Sequence, residues 1–218
     1  IRSMLFADPA RGYDLLLGLR RHHDWTTLRP KAVTAALQGL VQAYGLVVAD
    51  ADADVEGEER TGSVDVEERN LLARTVAAHA DVIVAVGRPG VVGVHRLARA
   101  ITDLLHAGVP GERVQPVVVG GPRRRRERAE VTAALGHLTV VPDGGRACAS
   151  PTYVAARHRV DRLIHDGLPL PEALGRPAVR AIEAALERLE PRSDTHLAPV
   201  IAAPGTVGHW SPAEETAG

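Results

Sequence analysis

The sequence predicts an α/β fold: a three-layer domain whose mainly parallel, doubly wound sheet is covered by helices, followed by C-terminal helices and a disordered tail. Three observations predict it. Leu46-Val47-Val48-Ala49, Val82 to Val86 and Val117-Val118-Val119 are continuous β-favouring runs without polar alternation, as expected of strands buried on both faces. Between them lie segments with apolar residues at helical spacing. Each run stops at Asp or Gly, and such alternation of strand and helix signals argues for parallel pairing.

The elements follow in order. Ser3 to Ala7 reads as a short buried strand ending at Asp8-Pro9, and a short helix is expected from Tyr13 to Leu19. After Pro30, one apolar stripe of Val33, Leu37, Leu40, Val41 and Tyr44 predicts a helix packed on a sheet. Gly45 interrupts it, and the strand-like run from Leu46 ends in Asp50-Ala51-Asp52-Ala53-Asp54. An acidic connection leads to a helix from about Val66 to Ala78, then to a strand over Asp81 to Val86, stopped by Gly87-Arg88-Pro89-Gly90. The next helix carries Val94, Leu97, Ala98, Ile101, Leu104 and Leu105 on one face, with Gly108 and Pro110 as its stop signal. Val117-Val118-Val119 runs into Gly120-Gly121-Pro122, a helix is expected from Glu127 to Leu135, and a last strand from Leu138 to Val141. Beyond Pro142 the signals are helical only, over Tyr153 to His165 and Pro177 to Leu189, the second with Val179, Ile182, Leu186 and Leu189 on one stripe. Past Pro191 periodicity ends, which divides the chain into a domain over 1–190 and a tail over 191–218 that contains Trp210.

Composition narrows the functional classes. With 218 residues, 45% of them hydrophobic, the chain supports one core. A net charge of −1 supplies no global field for nucleic acid or acidic lipid, so any such contact is local. The single cysteine, Cys148, excludes an internal disulfide framework. No apolar run reaches the roughly 18 residues of a membrane span, and no signal peptide is recognisable, so a cytoplasmic protein is expected. Gly-x-Ser-x-Gly and His-Glu-x-x-His patterns are absent, which disfavours the hydrolases built on them. Lys31 is the only lysine and follows Leu28-Arg29-Pro30 without a glycine-rich run, so these residues cannot build a P-loop. The chain opens at Ile1 directly into a strand-like segment, and we expect the natural protein to begin earlier.

In open α/β sheets ligands bind beyond the carboxyl ends of the strands. The residues there are Asp8, then Asp50 and Asp52, then Arg88 with Pro89, then Gly120 to Arg123. Carboxylates in such positions suit Mg²⁺, through water, because a hard cation takes oxygen ligands in fixed geometry; aspartate is equally an ordinary strand terminator or helix cap. Arg123 to Arg126, extended by Arg128, could meet phosphates of DNA or of a nucleotide, or form the charged first turn of a surface helix. His22-His23-Asp24 lacks a companion ligand at recognisable spacing, and the acidic series from Glu56 to Glu68 suits a helix start or a partner surface.

The order of these segments resembles the MinD/ParA family of deviant-Walker ATPases. Leu5-Phe6-Ala7-Asp8-Pro9-Ala10-Arg11-Gly12, with Tyr13 to Gly18, is similar to the family's second strand and first switch; Tyr44 to Asp50 is similar to its Walker B strand; Ala80 to Val86, with Arg88-Pro89 and the helix opening at Val92-Gly93, is similar to the strand and loop that follow. The resemblance implies a P-loop NTPase-like domain lacking its phosphate-binding segment, with ATP and Mg²⁺ as cofactors, both dependent on that absent loop. It implies that Asp8 organises Mg²⁺ and the attacking water, that Asp50 holds Mg²⁺ through water, and that Arg88, Pro89, Gly120 and Gly121 border the nucleotide. The implied partner is a second copy in a nucleotide-bridged dimer, serving to position chromosomes, division sites or envelope machinery. The chain departs from the pattern in three places: no P-loop, Ala51-Asp52-Ala53 where Ser/Thr-Pro-Pro usually follows Walker B, and Gly120-Gly121 where Asn-Arg is typical. The alternative is therefore an inactive pseudo-ATPase or receiver-like module that binds an unknown protein partner. A Lys-Gly-Gly-x-Gly-Lys loop preceding Ile1 would favour the enzyme.

Overall fold

A computed structural model describes residues 5–19, 28–55, 70–139, 148–155 and 160–189. The chain divides into a unit over Ile1–Arg188 and a second over Leu189–Gly218. The predicted tail and Trp210, together with His22-His23-Asp24 and the acidic residues Glu56 to Glu68, lie outside the described residues.

The first unit is mixed α/β. Among the described residues its main sheet has three strands, β3 (Ile83–Gly87), β4 (Val114–Val119) and β5 (Thr152–Val154), in the order β3-β4-β5 and all parallel. Helix α3 (Val91–His106) carries the chain from β3 to β4, and α4 (Arg125–Leu138) follows β4. The remaining α-helices among the described residues are α1 (Pro30–Ala43), α2 (Leu71–His79), α5 (Val160–His165) and α6 (Glu172–Arg188). No described helix is long and apolar enough to cross a membrane.

The core is the predicted α3 stripe set on the sheet. Val94, Leu97, Ala98, Ile101 and Leu104 are buried with Ala85 of β3, Val114 and Val118 of β4, Ala73 and Ala77 of α2, and Leu135 of α4. The helix then ends as its glycine and proline predicted. Gly108 takes φ +84, its amide bonds the Leu105 carbonyl and the Val109 amide bonds the Leu104 carbonyl, while Val109 and Leu104 bury their side chains in the same cluster. Val114 to Val118 of β4 are all buried although successive side chains point to opposite faces, so both faces of the central strand are covered. Pro116 in that strand has no N–H to give; the pairing with β5 runs over Val117 to Val119, so the proline stands just before that ladder.

Four expectations are corrected. Tyr13–Leu16 is not a helix but β2, paired antiparallel with β1 (Leu5–Asp8) in a separate two-stranded sheet, so the first strand does not belong to the parallel sheet. The run of leucines suits either period; the Pro9-to-Gly12 turn, with Gly12 at φ +72, returns the chain on itself and decides for a hairpin. Leu46 to Ala49 forms no strand and is exposed, Leu46 at 78% and Val48 at 86%, and among the described residues no segment pairs with it. Leu138 ends α4 and Thr139 follows in a bend, so no strand starts there, whereas Val140 and Val141 lie outside the described residues. The third strand is instead Thr152–Val154, where a helix was expected from Tyr153 to His165; of that span, Val160–His165 is helical. Two helices also differ in detail: α1 packs chiefly on α2, and α6 starts at Glu172 with Pro177 inside it.

Candidate functional site

The β3–β4 register sets Gly87 opposite Val118, so the two strands leave the sheet side by side at their carboxyl ends. Arg88-Pro89-Gly90 follows one and Gly120-Gly121-Pro122 the other, which brings Arg88, Pro89, Gly120 and Gly121 to one edge. Their shapes depend on glycine. Gly90, at φ +88 and ψ 163, occupies a region open to almost no other residue, and its carbonyl accepts the Val94 amide at 2.9 Å. A Cβ on Gly93 would overlap the Arg88 carbonyl, and one on Gly87 would stand 2.9 Å from the Leu97 side chain, so α3 meets the loop backbone to backbone and seats Leu97 against the strand backbone. Gly120 takes φ +78 and gives its amide to the Val154 carbonyl at 2.9 Å.

Helix α3 opens from this edge with no side-chain cap, and Val91 and Val92 are exposed, so its first-turn amides are left to solvent or to a ligand. Arg88, Arg123 and Arg125 are exposed, with no ion-pair partner among the described residues. Arg124 pairs loosely with Glu127 at 3.8 Å and Arg126 with Glu130 at 3.2 Å, both pairs on the surface. Arginines at the start of α4 oppose its dipole, which Glu127 in the first turn partly offsets. Glycine-shaped backbone, an uncapped helix start and unpaired guanidinium groups together suit an anionic ligand such as the phosphate of a nucleotide.

Arg128 and Tyr153 belong to this edge and were missed in the sequence, Arg128 as the end of a charge run and Tyr153 as part of a helix. The signal was available: Thr152-Tyr153-Val154 after Pro151 is a β-branched and aromatic triplet with a stop before it.

Asp8 and Asp50 are set by other elements. Asp8 starts the β1–β2 turn, where its Oδ1 accepts the Arg11 amide at 3.1 Å and its Oδ2 stands 3.8 Å from Arg11 Nε. Hydrogen bonding to Tyr13, then the charges of Tyr13 and Asp8, hold the exposed Arg11 guanidinium above its ordinary pKa. Arg11 also donates to the Gly167 carbonyl at 2.7 Å, and Tyr44 at the end of α1 donates to Asp14 at 2.5 Å, so polar contacts fasten the hairpin on two sides. Asp50 lies exposed in the irregular segment after α1, and Asp52 accepts the Asp54 amide. Neither Asp8 nor Asp50 follows a strand of the parallel sheet, which corrects the placement expected for them. Among the described residues no three His, Cys, Asp or Glu side chains are grouped to hold a metal ion. With Asp8 taken up by Arg11, these residues do not fit a Mg²⁺ centre of their own. Cys148 packs against the core cluster.

Comparisons of the chain with protein families, with curated proteins and with solved structures gave no match.

Proposed function

We propose that the chain is a MinD/ParA-like nucleotide-binding domain that takes ATP at the carboxyl edge of β3 and β4 and pairs with a second copy when the nucleotide is bound. One observation carries the reading: two glycine-shaped loops, Gly87–Gly90 and Gly120–Pro122, leave adjacent parallel strands together beside the uncapped start of a 16-residue helix. Arg88, Arg123 and Arg125 supply cationic donors for phosphate, and the backbone supplies amides. Mg²⁺ enters with the nucleotide in this proposal; no step is routed through it. By the resemblance, both the binding of Mg·ATP and its hydrolysis depend on a P-loop that these residues do not contain. By resemblance the dimer positions chromosomes or envelope machinery, and Arg123 to Arg126 are a candidate DNA contact.

The second reading is a module that binds a protein partner and turns over no nucleotide. It is favoured by Asp8, whose carboxylate is committed to the turn by Arg11. The test uses the full-length natural protein: Mg²⁺-dependent ATP binding and turnover, with Asp8→Ala, Asp50→Ala and Arg88→Ala in parallel. Saturable binding that weakens in Arg88→Ala supports the nucleotide reading, and slow turnover abolished in both aspartate variants supports their catalytic role. A folded sample that binds no ATP leaves the protein-partner reading.

A further inference from the structure

The loop after β4 is held by two side chains with no part in the resemblance. The Arg128 guanidinium lies 5.1 Å from the centroid of the Tyr153 ring, a cation–π distance, while its Nε donates to the Pro122 carbonyl at 2.7 Å. The ring itself backs Gly121: a Cβ there would come within 2.6 Å of Tyr153 Cδ1. The Tyr153 hydroxyl donates to the Arg128 carbonyl at 2.8 Å and lies 3.1 Å from the Thr132 hydroxyl, which donates to the same carbonyl at 2.9 Å. The clasp thus ties the last strand, the loop after β4 and the first two turns of α4 at one point. All three hydrogen bonds are partly buried, where they weigh more than on an open surface.

Such a device is more than a core contact. It acts on the backbone of Pro122 and Gly121, the loop that forms half of the candidate edge, and it fixes where Arg123 and Arg125 leave that loop. The planar guanidinium suits this double task, since one face stacks while an edge N–H bonds a carbonyl. We propose that Arg128 and Tyr153 are positioning residues that hold the Gly120–Pro122 loop in its ligand-receiving shape, a proposal that rests on the nucleotide-binding reading above.

The experiment measures Mg·ATP dissociation constants and amide hydrogen exchange on the full-length protein, wild type against Tyr153→Phe, Arg128→Ala and Thr139→Ala. Tyr153→Phe keeps the ring against Gly121 and removes only the hydroxyl, so it tests the clasp without a cavity. Thr139→Ala removes a buried hydrogen bond at the opposite end of α4 and controls for reduced stability alone. The expected result is weaker binding by about tenfold in Arg128→Ala and about threefold in Tyr153→Phe, with faster exchange of the loop amides, and neither change in Thr139→Ala. Wild-type binding that stays unchanged in both clasp variants overturns the positioning role and leaves the nucleotide reading intact. Wild type that binds no nucleotide overturns both, an outcome told apart because no variant is needed to see it.

Discussion

A side chain on Gly93 would occupy the space held by the carbonyl of Arg88, so the first turn of α3 and the loop after β3 are in backbone contact. Gly93→Ala therefore sets the small helix-propensity gain of alanine, about 1 kcal/mol, against a clash with rigid backbone. We expect a net destabilisation of about 1–3 kcal/mol in urea unfolding. Gly136→Ala is the control: Gly136 lies in α4 with nothing near its Cβ position, and the substitution should raise stability by about 0.5–1 kcal/mol. Equal effects at the two glycines would contradict the close approach.

Ile101 is fully buried at the centre of the α3 stripe, whereas Leu46 is exposed in the segment after α1. Ile101→Ala should cost about 2–5 kcal/mol, and Leu46→Ala less than about 0.5 kcal/mol. Thermal melts of both variants check this. A large drop for Leu46→Ala would mean that the apolar run from Leu46 to Ala49 is covered after all.

Tyr44→Phe removes the hydroxyl that donates to Asp14 and leaves the aromatic ring. Because the contact is exposed, global stability should fall by less than about 1 kcal/mol. The local effect should be larger. Amides of Tyr13 to Leu16 should exchange faster while those of β4 stay protected, as expected of a hairpin that opens by itself.

If Arg123 to Arg126 contact DNA, replacing all four with alanine reduces the salt dependence of binding. The slope of log K against log salt should become less steep by about 0.9 for each phosphate that the variant no longer neutralises. An unchanged slope would assign the four arginines to the solvated surface of α4.

The segment from Ile83 to Leu138 was legible in the sequence because its information is local. The α3 stripe recurs at helical spacing, Gly108 and Pro110 mark a stop, and Val117 to Val119 stand as an uninterrupted β run; the stripe and the centre of that run became the core. Of the candidate edge, Arg88, Pro89, Gly120 and Gly121 were legible too, since strand ends can be read from where apolar runs stop. Asp8 and Asp50 were placed on the same reasoning, but neither follows a strand of the parallel sheet.

What the sequence alone determined is therefore where the chain can be helical or extended, and the α/β class that follows. Only the tertiary structure decided which extended segments become strands of one sheet. Leu46 to Ala49 has the composition of a strand but pairs with no other segment among the described residues, Leu5 to Asp8 pairs with the residues that follow its own turn, and Thr152–Val154 pairs in parallel with β4. A helix closes its hydrogen bonds within itself, so its pattern is visible in a short window. A strand closes them on a partner that can lie anywhere in the chain, and the same distance in sequence hid the pairing of Arg128 with Tyr153.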